Sequence, residues 1–213
     1  MKYESLIFDI DGTLWDSRAL VAEGYNLQLR GEGLERYCVD AARLRPLFGK
    51  VMTAIADELF PDLPEAERYS LMERCMAREN EYLKENECRI GYPGIAQVIR
   101  GLSKTHRLFI VSNSQCGYPE LCMQKLGIAD CFQGHLCFGD TGTGKGQTIR
   151  TLMEKHAVSS CAYTGDTQGD LDATAEAGIP FIWAAYGFDT PARFDLRIDT
   201  PMDLLTLEQE GKL

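Results

Sequence analysis

The sequence predicts an α/β fold in which a Rossmann-like parallel-sheet core carries an inserted all-helical domain. Two observations predict it. From residue 91 onward, short apolar runs alternate with helical patterns, which is typical of parallel βαβ units with right-handed crossovers. The first apolar run, near the amino terminus, is separated from the others by residues 16–89, which contain helical patterns and no convincing buried strand. We therefore expect a core domain of residues 1–15 and 90–213 and a second domain of residues 16–89.

The first predicted strand leads directly into a pair of carboxylates. Residues 6–8 form the apolar run of a strand buried on both faces, and Asp9 and Asp11 follow with one apolar residue between them. Side chains two apart on a strand share a face, so both acids should project the same way at the carboxyl end of the strand, where open α/β sheets bind ligands. Gly12 permits a tight turn, and Thr13 adds a hydroxyl beside backbone N–H groups that can face an anion.

This pair of acids favours phosphoryl chemistry assisted by a metal ion. Carboxylates this close repel each other, so one tends to keep its proton unless a cation intervenes. With a cation between the loop and a substrate phosphate, Asp9 could act as an ionised nucleophile, while Asp11 holds a proton and serves as general acid and then as general base. The alternative is an ordinary turn after an amino-terminal strand, because Asp and Gly are common turn residues.

The region between the first strand and residue 91 shows three helical patterns. The spacing of apolar residues predicts helices over 16–29, 40–59 and 65–86. The second should be broken or kinked around residues 46–49, which contain Pro and Gly. On the third, the expected buried stripe consists of Tyr69, Met72, Met76 and Leu83.

The rest of the chain alternates strands and helices after a turn cluster at residues 91–94. The predicted strands are 108–111, 136–138, 161–163 and 181–183, with a possible edge strand near 197–198. The predicted helices are 95–102, 118–126, 146–156, 171–176 and 201–210.

The later core strands are followed by polar groups suited to a phosphate. Ser112 and Asn113, with nearby backbone N–H groups, could bind phosphoryl oxygens as charge builds on them. Lys145 provides a positive point charge just before a helix. Gly144 and Lys145 also end a stretch with the spacing of a nucleotide-binding P-loop, but Gly146 stands where a Ser or Thr would bind Mg²⁺. Each of these groups could instead belong to a turn or be a solvated side chain.

Two more acids, Asp166 and Asp170, flank the turn after another short strand and can face one site. Together with Asp9 they offer hard oxygen ligands suited to Mg²⁺, which binds through one or two carboxylates and a phosphate. If these three and Asp11 were all ionised, their negative charge would exceed that of Lys145 and Mg²⁺ together, and a phosphate dianion would be repelled. Phosphate binding therefore requires that Asp11 be protonated and that backbone dipoles offset part of the remaining negative charge. Asp170 or Asp172 could instead cap a helix.

Composition and charge exclude several classes of protein. The chain of 213 residues has a net charge of −10, which argues against nucleic acid or an anionic membrane as a partner, since both need a basic face. Its eight cysteines contain no Cys-x-x-Cys pair, which gives a zinc or thioredoxin-like site little support and fits reduced thiols. No apolar run approaches the roughly 20 residues of a membrane span, and no signal-peptide core is present, so we expect a cytoplasmic protein.

Four segments of the chain resemble, in the expected order, the four motifs of the haloacid dehalogenase (HAD) superfamily. They are Asp9 to Thr13, Ser112–Asn113, Lys145, and Gly165–Asp166 with Asp170. The helical insertion after the first motif resembles the α-helical cap of the phosphoglycolate phosphatase-like branch, and residues 91–94 are similar to that branch's return to the core. The resemblance covers nearly the whole chain and implies a Rossmann-like HAD core domain with an inserted all-helical cap domain.

The resemblance also implies a role for each motif residue. Asp9 would be the nucleophile that forms an aspartyl phosphate, and Asp11 would be the acid and base. Ser112 and Lys145 would bind the phosphoryl group. Asp166 would bind Mg²⁺ together with the Asp9 carboxylate and the Asp11 backbone carbonyl. Asp170 would either support this metal site or orient Lys145.

The expected substrate is a small phosphomonoester metabolite, with phosphoglycolate as the leading candidate. Residues 47–50 resemble the cap loop that faces the active site in this branch. Arg43, Arg45 and Lys50 are therefore candidates for contacting a substrate carboxylate or second phosphate, although each could lie on a solvated helix face.

We thus expect a Mg²⁺-dependent phosphatase that is a monomer or a homodimer. A sugar phosphomutase of the same fold is the main alternative, but such enzymes carry a hinge histidine beyond the nucleophile, in the vicinity where this chain has Val21. A nucleotide-binding switch that uses the Gly144–Lys145 loop, or a binding protein that keeps the fold without turnover, is the alternative from a different class.

Overall fold

A six-stranded parallel sheet forms the centre of the structure, a computed structural model that describes residues 2–87 and 90–213. The strand order is β3-β2-β1-β4-β5-β6, and every neighbouring pair is parallel. The order reverses between β1 and β4, and such a switch point is where open α/β sheets bind ligands. The strands are β1 (Ser5–Phe8), β2 (Arg107–Ser112), β3 (Phe132–Cys137), β4 (Cys161–Gly165), β5 (Phe181–Ala184) and β6 (Leu196–Ile198). The predicted fold class is confirmed.

The described residues fall into two compact units. One, which we call the α/β unit, consists of Met1–Asp16 and Ile90–Leu213, and the other, the helical unit, consists of Ser17–Arg89. The helices of the helical unit are α1 (Arg18–Gly31), α2 (Ala41–Leu44), α3 (Met52–Leu59) and α4 (Glu65–Glu85). Those of the α/β unit are α5 (Ile95–Leu102), α6 (Tyr118–Leu126), α7 (Phe138–Thr141), α8 (Lys145–Lys155), α9 (Gln168–Ala177) and α10 (Asp203–Gln209).

The central strands form because their residues are apolar on both faces. Leu6, Ile7 and Phe8 of β1 are fully buried, as strands covered by helices on both sides require. On one face of the sheet, Ile7 belongs to a cluster of buried side chains that includes Ile149 and Leu152 of α8. The packing of β1 in the core therefore holds in place the strand that carries the two acids at its carboxyl end.

The predicted break within residues 40–59 is confirmed, because α2 ends at Leu44, α3 begins at Met52, and Gly49 between them has a φ of 88°, which does not fit a helix. Two other predictions about secondary structure are wrong. The third strand is not 136–138, since β3 begins at Phe132 and Phe138 opens α7. On α4, Tyr69 and Met76 are only half-buried, and the buried residues are Leu71, Met72, Cys75, Glu79 and Leu83.

Two predictions about the chain as a whole can be compared with the described residues. The cysteines among them are all free, whereas Cys88 lies outside these residues. Within the described ranges, no helix combines the length and the apolar character that crossing a bilayer would need.

Candidate active site

The β1 loop buries Asp9 at the switch point of the sheet. Its backbone N–H donates to the Thr164 carbonyl of β4 at 2.9 Å, which ties the end of β1 to its neighbour. The chain then turns tightly, since the N–H groups of Thr13 and Leu14 both donate to the Ile10 carbonyl, at 3.2 and 2.7 Å. The predicted strand that runs into a polar loop is present at this position.

Lys145 joins acids from two separate motifs. It is the first residue of α8, and its Nζ donates to Asp9 Oδ1 at 2.9 Å and to Asp170 Oδ1 at 2.6 Å. All three side chains are buried. The alternative of a solvated lysine is therefore wrong. An ammonium group held between two carboxylates also gives no support to the P-loop alternative, in which backbone N–H groups of a loop cradle the phosphates.

Asp170 is held by donors on both of its carboxylate oxygens. Oδ1 accepts from Lys145 and from the Tyr163 hydroxyl at 3.3 Å. Oδ2 accepts from the backbone N–H groups of Asp166 and Thr167, at 3.1 and 2.9 Å, and from the Thr167 hydroxyl at 2.7 Å. Thr167 and Asp170 also form the capping box of α9. This pattern suits a residue that orients Lys145 and fixes the β4–α9 turn.

Asp166 has one carboxylate oxygen with no hydrogen-bond partner in the described structure. Its Oδ2 accepts from the Phe188 N–H at 2.6 Å, whereas Oδ1 is buried and unpaired. Glycines pack tightly around it, because a Cβ on Gly12 or on Gly187 would overlap this carboxylate. The φ of 81° at Gly12 is a second reason for glycine there.

The residues present fit a divalent cation. Asp9, Asp166 and Asp170 each offer a carboxylate oxygen, and these three oxygens lie within 4.8 Å of one another. Against them stands the single positive charge of Lys145, so the buried group carries an excess of two negative charges if all are ionised. Burial of uncompensated charge is costly, and a divalent cation bound by hard oxygen ligands would remove this cost.

The pKa values of the three acids reflect this imbalance. Burial raises the pKa of Asp9 to about 7, and the Lys145 charge opposes the rise. Burial, together with the charges of Asp170 and Asp9, holds the pKa of Asp166 well above its usual range. For Asp170, burial is outweighed by Lys145 and by hydrogen bonds from Thr167, so its pKa is lowered. A bound cation would favour the ionised forms of Asp9 and Asp166.

Hydroxyl groups from the predicted phosphate motifs are buried near the ends of β1 and β2. These strands run side by side with Phe8 opposite Ile110, so Ser112, the last residue of β2, lies at the same end as Asp9. The Ser112 hydroxyl accepts from the Ser114 N–H at 3.3 Å, and Asn113 lies between them. The hydroxyls of Thr13 and Ser114 are buried without a partner in the part of the chain that the structure describes. Each costs about 1–3 kcal/mol if left unpaired, so a polar ligand here would be favourable.

Asp11 is held by two aromatic side chains that sequence reasoning missed. Its Oδ1 accepts from Trp15 Nε1 and from the Tyr118 hydroxyl, both at 2.8 Å. Trp15 could have been suspected because it lies just beyond the acidic motif. Tyr118 gives no such signal, since it lies 107 residues away in sequence. Phe188, whose N–H donates to Asp166 from 22 residues away in sequence, was missed for the same reason. Tyr163 was missed although it is close in sequence, because within β4 it reads as an ordinary strand residue.

The cationic candidates Arg43, Arg45 and Lys50 lie in the helical unit, where Arg43 and Lys50 both contact Glu58. Lys50 forms an exposed ion pair with Glu58, and Arg43 donates to the Glu58 carbonyl at 3.3 Å. Arg45 follows the last residue of α2. Their role toward a substrate stays a prediction.

The chain is similar to known hydrolases and phosphatases. A family model described as Haloacid dehalogenase-like hydrolase matches residues 6–184. A phosphoglycolate phosphatase of Xanthomonas campestris is 28% identical, over 94% of each chain. An N-acetylmuramic acid 6-phosphate phosphatase of Pseudomonas aeruginosa is 25% identical, over 96% of this chain and 94% of that one. A solved structure from Haemophilus somnus, described as a predicted phosphoglycolate phosphatase, has a TM-score of 0.83 at 20% identity and covers 98% of this chain and 99% of that one.

Proposed function

The chain belongs to the haloacid dehalogenase-like hydrolase family and is a phosphoric monoester hydrolase, and from this premise we propose that it cleaves small phosphomonoesters through an aspartyl phosphate with Mg²⁺ as cofactor. The observation that carries the proposal is the buried group in which Asp9 contacts Lys145 while the Oδ1 atom of Asp166 lies nearby unpaired. A nucleophile, a positive charge and a cation ligand are the parts that phosphoryl transfer needs.

In the first step, a carboxylate oxygen of Asp9 attacks phosphorus. The new bond from Asp9 to phosphorus forms as the ester P–O bond breaks, and Asp11 gives its proton to the leaving oxygen. Lys145 keeps Asp9 in place and offsets negative charge on the phosphoryl group. Buried hydroxyl and N–H groups at the ends of β1 and β2, including Ser112, Asn113 and Thr13, would donate to the phosphoryl oxygens.

In the second step, water releases the phosphate. Asp11, now ionised, takes a proton from a water molecule as that water attacks phosphorus, and the bond between phosphorus and Asp9 breaks. Mg²⁺, held by Asp9, Asp166 and the Asp11 backbone carbonyl, with Asp170 supporting the site, would neutralise charge on the phosphoryl oxygens. Both protein acids return to their starting states.

The first experiment measures hydrolysis of p-nitrophenyl phosphate with and without Mg²⁺. We expect activity that a chelator removes and Mg²⁺ restores. The Asp9→Asn variant should lose about 10⁴-fold or more in turnover, because the nucleophile is gone. Asp130→Asn, at an exposed acid paired with Arg100, is the matched control and should behave like the unchanged protein. If Asp9→Asn keeps its activity, the mechanism is wrong.

We propose that the helical unit acts as the cap and sets the substrate. Phosphoglycolate is the leading candidate, and Arg45 and Lys50 would contact its carboxylate. Relatives of similar identity are named for different substrates, so a panel of metabolite phosphates that includes phosphoglycolate and N-acetylmuramic acid 6-phosphate is the test. A cytoplasmic location and a monomeric or dimeric state stay predictions from the sequence.

A further inference from the structure

The side chains of Trp15 and Tyr118 form a two-donor clamp on one oxygen of Asp11. Trp15 Nε1 and the Tyr118 hydroxyl each donate to Asp11 Oδ1 at 2.8 Å. Both rings are almost completely buried, with 0% and 2% of their surface exposed. A hydrogen bond from a neutral donor to a carboxylate is stronger than one between neutral groups, so two of them fix the plane of this side chain.

Each ring of the clamp has contacts besides its hydrogen bond to the Asp11 side chain. The backbone N–H of Gly12 donates to the Trp15 carbonyl at 2.9 Å, which folds Trp15 back beside Asp11, and Trp15 forms a bridge with Gly91. Tyr118 is the first residue of α6. The two rings meet edge to face, with centroids 5.4 Å apart and planes at 77°. Such aromatic pairs are stabilising beyond the area they bury. The clamp is therefore part of the core and does not depend on a surface contact.

We propose that Trp15 and Tyr118 are positioning residues that leave Oδ2 of Asp11 as the atom that exchanges the proton. The two donors take both lone pairs of Oδ1, so a proton on this carboxyl group resides on Oδ2. When the Asp9–phosphorus bond forms and the ester bond breaks, that proton passes from Oδ2 to the leaving oxygen. Neither ring forms or breaks a bond. The inference rests on the proposed phosphatase function, because it concerns the acid of that reaction.

This role predicts a dependence on the leaving group. An alkoxide is a poor leaving group and needs the proton from Asp11, whereas p-nitrophenolate leaves readily without it. A misplaced acid should therefore slow cleavage of alkyl phosphates much more than cleavage of p-nitrophenyl phosphate. The ratio kcat/KM is the suitable quantity, since it covers the steps up to formation of the phosphoenzyme and excludes the later attack of water.

The experiment compares Trp15→Phe and Tyr118→Phe, which keep an aromatic ring and remove the donor. For each variant, kcat/KM is measured with Mg²⁺ on p-nitrophenyl phosphate and on the most active alkyl phosphate of the metabolite panel. We expect a loss of about 10-fold to 100-fold on the alkyl ester, part of what general acid catalysis contributes, and a loss of less than about threefold on the aryl ester. Equal losses on both esters, or no loss on either, would overturn the proposal.

Two buried aromatic residues outside the clamp serve as matched controls. Trp183 is buried and its Nε1 has no partner in the described residues, so Trp183→Phe removes ring volume without removing a hydrogen bond. The Tyr37 hydroxyl donates to Asp62 at 3.1 Å in the helical unit, so Tyr37→Phe removes a donor of the same kind. Neither control should change the ratio between the two esters. A change as large as that in the clamp variants would contradict a specific role for the clamp.

A double variant separates positioning from general loss of structure. In an Asp11→Asn background the acid is absent, so adding Trp15→Phe should cause no further loss on the alkyl ester. A further loss of the same size would show that Trp15 acts in some other way and would overturn the proposal. Failure of the unchanged protein to hydrolyse either ester would count against the proposed function itself, before any clamp variant is considered.

Discussion

Two lysines predicted to bind substrate, Lys145 in the α/β unit and Lys50 in the helical unit, have opposite environments. The Lys145 side chain is 3% exposed and contacts two buried carboxylates, Asp9 and Asp170. The Lys50 side chain is 40% exposed and pairs with Glu58, itself 45% exposed. Although burial opposes it, the two nearby carboxylates raise the pKa of Lys145 above its ordinary value.

The difference between the two lysines shows which unit holds its charged groups in defined positions. In the α/β unit, Lys145, Asp9 and Asp170 contact one another with little access to water, so their positions and ionisation are set by the fold. Exposed ion pairs in the helical unit contribute little to stability and can exchange partners at low cost. If the proposed function is correct, we expect substitutions in the helical unit to change the preferred substrate and substitutions beside Asp9 to change the rate of the reaction itself.

Replacement of the two lysines by methionine, one at a time, should show the largest difference between the two units. Lys145→Met leaves Asp9 and Asp170 buried without their counter-charge, which should lower the free energy of unfolding by about 3–5 kcal/mol and abolish most activity. Lys50→Met should change stability by less than about 1 kcal/mol and leave kcat unaltered. Urea denaturation and p-nitrophenyl phosphate turnover measure both. Similar effects of the two substitutions would refute the contrast.

Replacement of glycine by alanine in each unit should have a smaller effect. Gly12 and Gly33 both have positive φ, at 81° and 71°, so alanine is strained in both places. At Gly12 the added Cβ would meet the carboxylate of Asp166, whereas at Gly33 no atom of the described residues other than its chain neighbours would lie within 4 Å of it. We expect Gly33→Ala to cost about 1–2 kcal/mol with normal activity. Gly12→Ala should cost more, and it should also raise the Mg²⁺ concentration needed for half-maximal activity.

Equal Mg²⁺ requirements for the two alanine variants would contradict the close packing of Asp166 against Gly12. Thermal unfolding of both variants measures their loss of stability. A titration of activity with Mg²⁺ measures the Mg²⁺ concentration that each variant needs for half-maximal activity.

The smallest effect concerns an exposed ion pair in the helical unit. Glu32 accepts from Arg74 through both oxygens, at 2.6 and 2.8 Å, and these hydrogen bonds lower its pKa below the ordinary value of 4.5. A lowered folded-state pKa stabilises the protein above the unfolded-state value, and this contribution is lost as the pH falls through the folded-state pKa. Glu32→Gln should therefore cost less than about 1 kcal/mol at neutral pH and nothing in strong acid. Denaturation at the two pH values tests this, and an undiminished difference in acid would contradict it.

Much of the α/β unit could be predicted because local pattern and tertiary environment agree there. The run of residues 6–8 is apolar since β1 is buried on both faces, and its acids end at the switch point of the sheet. The pattern is weaker for β3, an edge strand whose first residues include Gln133 and Gly134 and are not fully buried. Only its last residues were therefore recognised as a strand.

Two of the buried residues on α4, Cys75 and Glu79, do not follow from the apolar pattern, because helix packing there also uses residues that are not large and apolar. A Cβ on Gly24 of α1 would lie only 2.8 Å from the Cα of Glu79, so the two helices approach closely at that point. Their contact therefore buries Cys75 and Glu79, which a search for large apolar side chains passes over. In the site, Tyr118 was missed because its contact with Asp11 exists only once the sheet and α6 are assembled.

The central claim is that Asp9 forms a covalent bond to phosphorus within this buried group. Borohydride reduces an acyl phosphate to an alcohol, so an aspartyl phosphate trapped during turnover with Mg²⁺ would become homoserine. Peptide mapping of the trapped protein should find homoserine at position 9, and none in the Asp9→Asn variant or without Mg²⁺. Sustained turnover with Asp9 unmodified, or with the phosphoryl group trapped on another residue, would contradict the account.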